Sequence, residues 1–248
     1  MKHLLRLFVC IQLFTYVANA QPHATSLQSQ QLMVVITNGW ASLQGTLYAY
    51  EKQHGQWVLK FSNEVVVGSN GLGIGDGLVP LNITGAPIKK EGDLKAPAGI
   101  FTIGTAFGYA DNADAQWIKN RYTKAADTVI CVDDMHSTHY NTLLHKDSTK
   151  SDWNSFEYMH RKDNYYKWGL FVNHNATNPS PGHGSCIFMH IWENNHEGTE
   201  GCTAMQEADI LQLLHWINAK KNPLLVQIPA EEYGPLAAKY RLPALQKK

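Results

Sequence analysis

The feature that most constrains the fold is a run of four short segments that favour β-strands, near the start of the chain. These segments are rich in β-branched and aromatic residues and occupy residues 32–37 (LMVVIT), 46–52 (TLYAYEK), 56–61 (QWVLKF) and 64–68 (EVVVG). Residues of this kind are favoured in strands. The separators NGWASLQG, QHG and SN are typical turn material. The pattern therefore predicts a meander of antiparallel strand pairs.

Further strand-like segments recur along the chain, at residues 100–104, 128–134, 170–175, 185–192 and 223–229. Between them, the glycine-rich tract at 68–77 is predicted to be a flexible loop. One helix is well supported, over residues 207–220, because Ile210, Leu211, Leu214 and Ile217 recur at helical spacing. No internal repeat or low-complexity linker is present. We therefore expect residues 21–248 to form one mainly β domain, with this helix and minor additional helices.

The first twenty residues have the composition of a signal peptide. A positively charged start (MKHLLR) precedes an apolar run (LFVCIQLFTYV), and Ala18 and Ala20 supply the small residues of a cleavage site. The run is too short to cross about 30 Å of hydrocarbon. We expect export across the inner membrane, with loss of residues 1–20 and of Cys10, and no transmembrane anchor afterwards. The mature chain would be periplasmic or associated with the cell wall.

The charge of the chain argues against nucleic acid as a partner. The 21 basic and 21 acidic residues balance, and no basic patch stands out. A cofactor is not expected either, because the G-x-G in the glycine-rich tract is followed by neither a helix pattern nor GK[ST]. The histidines form no HExxH or paired-cysteine motif, so no metal site is predicted.

Residues 184–206 (GSCIFMHIWENNHEGTEGCTAMQ) carry the strongest chemical signal. His190 lies near the end of a predicted buried strand, and Cys202 follows a glycine in a predicted turn before the helix. A helix N-terminus favours a thiolate over a thiol. With His190 as proton acceptor, the pair has the elements of nucleophilic catalysis. A structural cysteine beside an unrelated histidine is the alternative at this point.

The number of cysteines bears on whether Cys202 is a free thiol. Removal of the signal peptide leaves Cys131, Cys186 and Cys202. In an oxidising compartment an odd count leaves one thiol unpaired or pairing between chains. A bridge between Cys131 and Cys186 on two neighbouring strands would leave Cys202 free, whereas the other possibility is that all three are reduced.

Three separate motifs, in order, resemble the L,D-transpeptidase (YkuD-type) catalytic domain of bacterial cell-wall enzymes. They are EGDLKAPAGIFTIG, CVDDMHSTHYN, and GSCIFMHIW with TEGCTAM, and the resemblance covers about residues 65–229. It implies a mainly β fold, a mixed sandwich or barrel-like sheet. It also implies a cysteine that attacks the amide between the third residue of a peptidoglycan stem peptide, often diaminopimelate, and the following D-alanine.

The resemblance assigns roles residue by residue. Cys202 matches the family's nucleophile and His190 its base, while Gly201 and Thr199 match the residues before the nucleophile. The backbone N–H groups around Gly201 and Cys202 would hold the oxyanion, and Thr199 would orient the imidazole. The sequence departs from the family at two positions, because the usual histidine two residues before the cysteine is replaced by Glu200 and the usual asparagine two residues after it by Ala204.

Four residues in or near these motifs are candidates for substrate binding: Glu200, Thr203, Tyr140 and Trp153. Trp153 opens an aromatic-rich segment that either faces substrate or packs its rings on the sheet. The main functional hypothesis is transfer of the acyl group to an amine of a second stem, which forms a 3-3 crosslink. The alternatives are an L,D-carboxypeptidase or amidase that uses water as acceptor, and a cell-wall binding module without catalysis.

Overall fold

The computed structural model describes residues 27–245, which form a mainly β domain. The predicted signal peptide at 1–20, with Cys10, lies outside the described residues. The strands are β1 (Gln31–Thr37), β2 (Gln44–Gln53), β3 (Gln56–Val66), β4 (Leu72–Ile74), β5 (Ala96–Gly108), β6 (Tyr122–Lys124), β7 (Val129–Val132), β8 (Thr142–His145), β9 (Phe156–Tyr158), β10 (Trp168–Val172), β11 (Phe188–Ile191), β12 (Thr203–Met205) and β13 (Leu224–Pro229). The helices are α1 (Glu207–Trp216) and α2 (Ala230–Tyr240).

The large sheet closes on itself. Its strands follow the order β10-β11-β12-β3-β2-β1-β13-β5, and β10 also pairs with β5, which completes the ring. The predicted meander forms its first part, with β1, β2 and β3 joined as antiparallel neighbours. Because β1 also pairs in parallel with β13, the two ends of the domain lie side by side. The short strands β4 and β6 add to β5.

Strand β1 is buried on both faces, because each face packs against a different hydrophobic cluster. Met33 and Val35 lie in the cluster that includes the buried face of α1, whereas Leu32 and Val34 lie in the cluster that includes α2. Alternating side chains of a strand point to opposite faces, so β1 joins the two clusters. This placement explains its continuous apolar sequence.

A second, three-stranded sheet lies beside the closed one and has the order β8-β7-β9. Val129 and Cys131 of β7, and Met159 directly after β9, belong to a cluster that also contains Phe188 of β11 and Cys202. The small sheet therefore forms one side of the region that the sequence marks as chemical. Neither helix within residues 27–245 is both long and apolar enough to span a bilayer.

Several predicted boundaries differ from the structure. The segments at 56–61 and 64–68 form one strand, because Ser62 and Asn63 stay paired with β2 instead of turning. Part of the glycine-rich tract at 68–77 is the strand β4, which pairs with β5. The strand predicted at 185–192 is only Phe188–Ile191, because Cys186 has a left-handed backbone with φ 53°.

Candidate active site

The parallel pairing of β11 with β12 brings the two halves of the predicted site together. Met189 is paired with Thr203, and His190 with Ala204. Cys202 comes one residue before the first paired position of β12, at the level of Phe188. The N–H of Phe188 consequently donates to the Cys202 Sγ, at 3.2 Å.

Cys202 is a buried free thiol, with 8% of its surface exposed. Its Sγ donates to the backbone oxygen of Cys186 at 3.6 Å. Burial raises the pKa of the Cys202 thiol, and the carboxylate of Glu157 raises it further, against smaller opposing effects of the Phe188 N–H and the Lys89 charge. The resting side chain is therefore a thiol that needs a base before it can attack.

Helix α1 begins at Glu207 as predicted, but its N-terminus is too far along the chain to act on Cys202. The strand β12 separates Cys202 from α1, which begins only at Glu207. The field of a helix terminus falls off within the first turn. The prediction that α1 lowers the pKa of Cys202 is therefore wrong.

His190 is buried and held in one tautomer. Its Nδ1 lies 2.8 Å from the backbone oxygen of Ile191. A carbonyl only accepts, so Nδ1 carries the proton and Nε2 retains its lone pair. Burial lowers the pKa of His190 to about 4, helped by the positive charge of Arg161. At neutral pH the ring is an uncharged proton acceptor.

Cys202 and His190 line the same cavity, which has a volume of about 580 Å³. The rings of Tyr165 and Tyr166 flank His190, with centroids at 6.2 and 5.3 Å. Among the described residues, no hydrogen bond joins the Cys202 sulfur directly to the imidazole. Proton transfer between them thus requires a movement of the side chains or a bridging group, and catalytic hydrogen bonds commonly tighten only when substrate binds.

Thr199 fixes the loop that carries the cysteine. Its Oγ1 donates to the backbone oxygen of Cys202 at 2.6 Å and accepts from the Gly201 N–H at 3.1 Å. Its backbone oxygen accepts from Ser69 at 2.8 Å. Thr199 is therefore committed to the loop, and the backbone oxygen of Ile191 takes the role of orienting the imidazole that the sequence suggested for Thr199.

The same loop changes the expected oxyanion site. The Gly201 N–H is already bound to Thr199, so it is not available to an oxyanion in this conformation. The Cys202 N–H has no acceptor among residues 27–245. Gly201 has φ 154°, and a Cβ there would lie 3.2 Å from the backbone oxygen of Lys95. The turn thus requires glycine at position 201 because of the backbone conformation, and not because its N–H is free to bind an oxyanion.

A disulfide between Cys131 and Cys186 ties the small sheet to the site, with 6.0 Å between the Cα atoms. It joins β7 to the segment before β11, rather than two neighbouring strands as the sequence suggested. The side chain of Asn141 holds the same segment by accepting from the Cys186 N–H at 2.9 Å. Cys186, whose backbone oxygen contacts the Cys202 thiol, is therefore fixed from two sides.

The four candidates for substrate binding have different positions. Glu200 lines the cavity. Tyr140 lies behind the wall, where its hydroxyl donates to Glu91, which itself lines the cavity. Thr203 points away from the cavity and donates to the side-chain oxygen of Gln227 at 2.7 Å, because successive residues of a strand alternate in direction. Trp153 packs against β7 and the ring of His139, outside the cavity.

Of the charged residues that line the cavity, only Glu200 was predicted as a site residue, and Lys89, Glu157 and Arg161 are among those that were missed. Lys89 is 4% exposed and binds the Asp93 carboxylate at 2.6 Å. The aromatic-rich segment from Trp153 to Gly169 was a signal for Arg161, but no spacing pattern marks Glu157. Six carboxylates face two cations in the cavity lining, which makes it acidic: Glu91, Asp133, Glu157, Glu193, Glu197 and Glu200 against Lys89 and Arg161.

Within residues 27–245, no group of three or more His, Cys, Asp or Glu side chains is arranged to hold a metal ion. A closed β sheet with a buried free cysteine and a neutral histidine in one acidic cavity defines a candidate for thiol-dependent acyl transfer.

Comparison with known proteins gives the family. The model of the L,D-transpeptidase catalytic domain (YkuD) matches residues 26–228, so the chain belongs to this family. The predicted family and the predicted mainly β fold are confirmed. No curated protein gives a significant match.

Two solved structures resemble the chain distantly. Bd1075 from Bdellovibrio bacteriovorus is 12% identical, with a TM-score of 0.41, over 82% of this chain and 51% of that protein. Pgp2 from Campylobacter jejuni, a helical cell shape determining protein, is 15% identical, with a TM-score of 0.39, over 83% and 50%. The chain thus spans about half the length of each.

Proposed function

We propose that this protein is an exported peptidoglycan L,D-transpeptidase in which Cys202 is the nucleophile and His190 the base. The observation that carries the proposal is the state of the three cysteines in residues 27–245. Two are joined in a disulfide, while Cys202 is free and lines one cavity with a neutral imidazole. The family supplies peptidoglycan as the substrate class, and the apolar leader at 1–20 supports export.

In the acylation step, Nε2 of His190 takes the thiol proton of Cys202 as sulfur attacks the amide carbon between stem residue three and D-alanine. His190 then gives the proton to the departing D-alanine amine. The N–H of Cys202 is the available donor for the oxyanion, and one such donor contributes on the order of 3 kcal/mol. The thioester that remains passes its acyl group to an amine of a second stem.

The charges of the cavity fit a substrate with ammonium and carboxylate groups. Six carboxylates suit the ammonium of a diamino acid, and Arg161 suits a carboxylate. The Arg161 guanidinium is steadied by a pair of bonds to Asp163 and by the faces of Tyr165 and Tyr166. Glu200 is therefore proposed as a substrate contact of the acidic wall.

Hydrolysis is the second candidate function. Glu200 and Ala204 replace the histidine and asparagine that are usual in the family, so the environment of the thioester differs from that of typical transferases. With water as acceptor, the same cysteine and histidine would release a stem tripeptide.

Purified protein, without residues 1–20, should be incubated with tetrapeptide muropeptides and the products identified by mass spectrometry. Crosslinked dimers indicate transfer, and tripeptides alone indicate hydrolysis. Cys202→Ala is expected to keep the circular dichroism spectrum of the wild type and to lose all product. Product formation by Cys202→Ala would refute Cys202 as nucleophile, and retained sacculus binding with an inert thiol would favour a binding module.

A further inference from the structure

Glu157 lines the same cavity as the two proposed catalytic residues, Cys202 and His190. It belongs to β9, where it is paired across the strands with Cys131. Cys131 is bonded to Cys186, whose backbone oxygen contacts the Cys202 thiol. A short covalent and hydrogen-bonded path therefore fixes the strand of Glu157 relative to the nucleophile.

The carboxylate is half-buried and held by one strong partner. The hydroxyl of Tyr166 donates to Glu157 Oε2 at 2.7 Å. The Tyr166 ring is buried and contacts the rings of His190 and Phe188 edge-on, each with 5.3 Å between centroids. Tyr166 thus places the carboxylate on the side of the cavity that Cys202 and His190 share.

The surroundings of Glu157 give it a basicity unusual for a carboxylate. Its pKa is raised to about 7, mainly by burial, and the carboxylates of Asp133 and Glu200 act in the same direction. The Tyr166 hydroxyl and the Arg161 charge act in the opposite direction, and the Cys202 thiol also faces the group. A carboxyl group that titrates near neutrality can both hold a proton and release it.

The chemistry of the second half-reaction leaves one proton without an acceptor. Aminolysis of the thioester joins the amine nitrogen to the acyl carbon and breaks the carbon–sulfur bond. An ammonium loses two protons on the way to the amide, and the departing sulfur of Cys202 takes only one, through His190. Hydrolysis needs no such step before attack, because water is already neutral: it gives one proton to sulfur through His190, and the product acid loses the second to solvent afterwards.

We propose that Glu157 is a catalytic residue of the transfer step, where its carboxylate binds the ammonium of the acyl acceptor and takes the first of its two protons. The neutral amine then attacks the thioester, and Glu157 returns its proton to solvent. This inference rests on the proposed function. It assigns the residue that directs the acyl group to an amine rather than to water.

The test compares Glu157→Gln with Glu193→Gln in single-turnover experiments. Glu193 is a matched control, because it lines the same cavity and accepts from the Tyr165 hydroxyl at 2.7 Å, but it is exposed. The thioester is formed with a tetrapeptide stem, and its loss to Nα-acetyl-lysine amide or to water is followed by intact-protein mass spectrometry. General base catalysis predicts that Glu157→Gln slows aminolysis at pH 7 by about 10²-fold or more.

Hydrolysis of the thioester should change by less than about 5-fold in Glu157→Gln, since general base catalysis by Glu157 acts on the amine alone. Thioester formation is measured separately, because loss of the Glu157 charge also lowers the pKa of Cys202. Glu193→Gln removes one charge from the same cavity and controls for that loss: it should leave the ratio of aminolysis to hydrolysis as in the wild type. Equal slowing of aminolysis and hydrolysis, or unchanged aminolysis, would overturn the proposal. Absence of any thioester in the wild type would instead refute the proposed function, so the two failures are distinct.

A measurement on the wild-type protein remains decisive if Glu157→Gln does not fold. The ratio of aminolysis to hydrolysis is measured from pH 5 to pH 10 at constant total amine. With Glu157 as base the ratio rises through about pH 7, where half of the carboxylate is ionised, and levels off about one pH unit higher. A ratio that keeps rising towards the pKa of a free lysine amine, about 10.4, shows an unassisted reaction and rules out this role.

Discussion

Removal of the Cys131–Cys186 disulfide tests whether the covalent link or the surrounding packing holds the segment beside the nucleophile. The two cysteines are 55 residues apart in sequence. Closing a loop of that length lowers the entropy of the unfolded chain by an amount worth about 4 kcal/mol at 25 °C. We expect a variant with Cys131→Ala and Cys186→Ala to lose about this much of its free energy of unfolding, and more from the two truncated buried sulfurs.

The assay is equilibrium unfolding in urea, followed by tryptophan fluorescence. Wild type reduced with dithiothreitol is the matched control, because it lacks the link but retains both sulfur atoms. The Cys186 backbone oxygen contacts the Cys202 thiol, so release of this segment should also speed alkylation of Cys202 by iodoacetamide. A loss below about 1 kcal/mol in the reduced wild type, against the about 4 kcal/mol of the loop relation, would refute the reasoning.

Two further predictions follow from single side chains. Thr199→Val removes the bonds from Oγ1 to the Cys202 oxygen and the Gly201 N–H; it should cost about 2 kcal/mol in urea unfolding and slow thioester formation, whereas Thr199→Ser should restore both. His174 is 1% exposed, and burial lowers its pKa to about 4 from the ordinary histidine value of about 6.5. The unfolded state therefore binds more protons between these pH values, and stability falls as pH drops through this window by about 3 kcal/mol for this group. His174→Gln should reduce the difference in unfolding free energy between pH 7 and pH 4 by that amount, and an unchanged difference would contradict the effect.

Local sequence patterns predicted the strands that lie in the hairpin meander and the helix α1. Alternating or continuous apolar residues indicate which segments are buried strands. The observed bounds of β1, β2 and β13 are therefore close to the predicted ones. Local patterns could not predict that the large sheet closes on itself. The closure depends on pairings between distant segments, such as β1 with β13 and β10 with β5, that no local window contains.

The candidate site was predicted unevenly for a related reason. Cys202 and His190 stand in recognisable motifs, and the parallel register of β11 and β12 brings those motifs together. The surroundings of Cys202 were not predicted, because the short strand β12 lies between Cys202 and α1, although α1 begins at the predicted residue, Glu207. Glu157 reaches the cavity through the pairing of β9 with β7, and a lone glutamate in an aromatic-rich segment carries no signal of that pairing.

The most direct test of the central claim is to trap the acyl group on the enzyme. Wild type is mixed with a tetrapeptide stem, quenched in acid within seconds and analysed by intact mass and peptide mapping. The proposal predicts an added mass equal to the stem without its terminal D-alanine, located on the peptide that contains Cys202 and absent from Cys202→Ala. Release of D-alanine with no adduct on Cys202, at the same rate in Cys202→Ala, would contradict it.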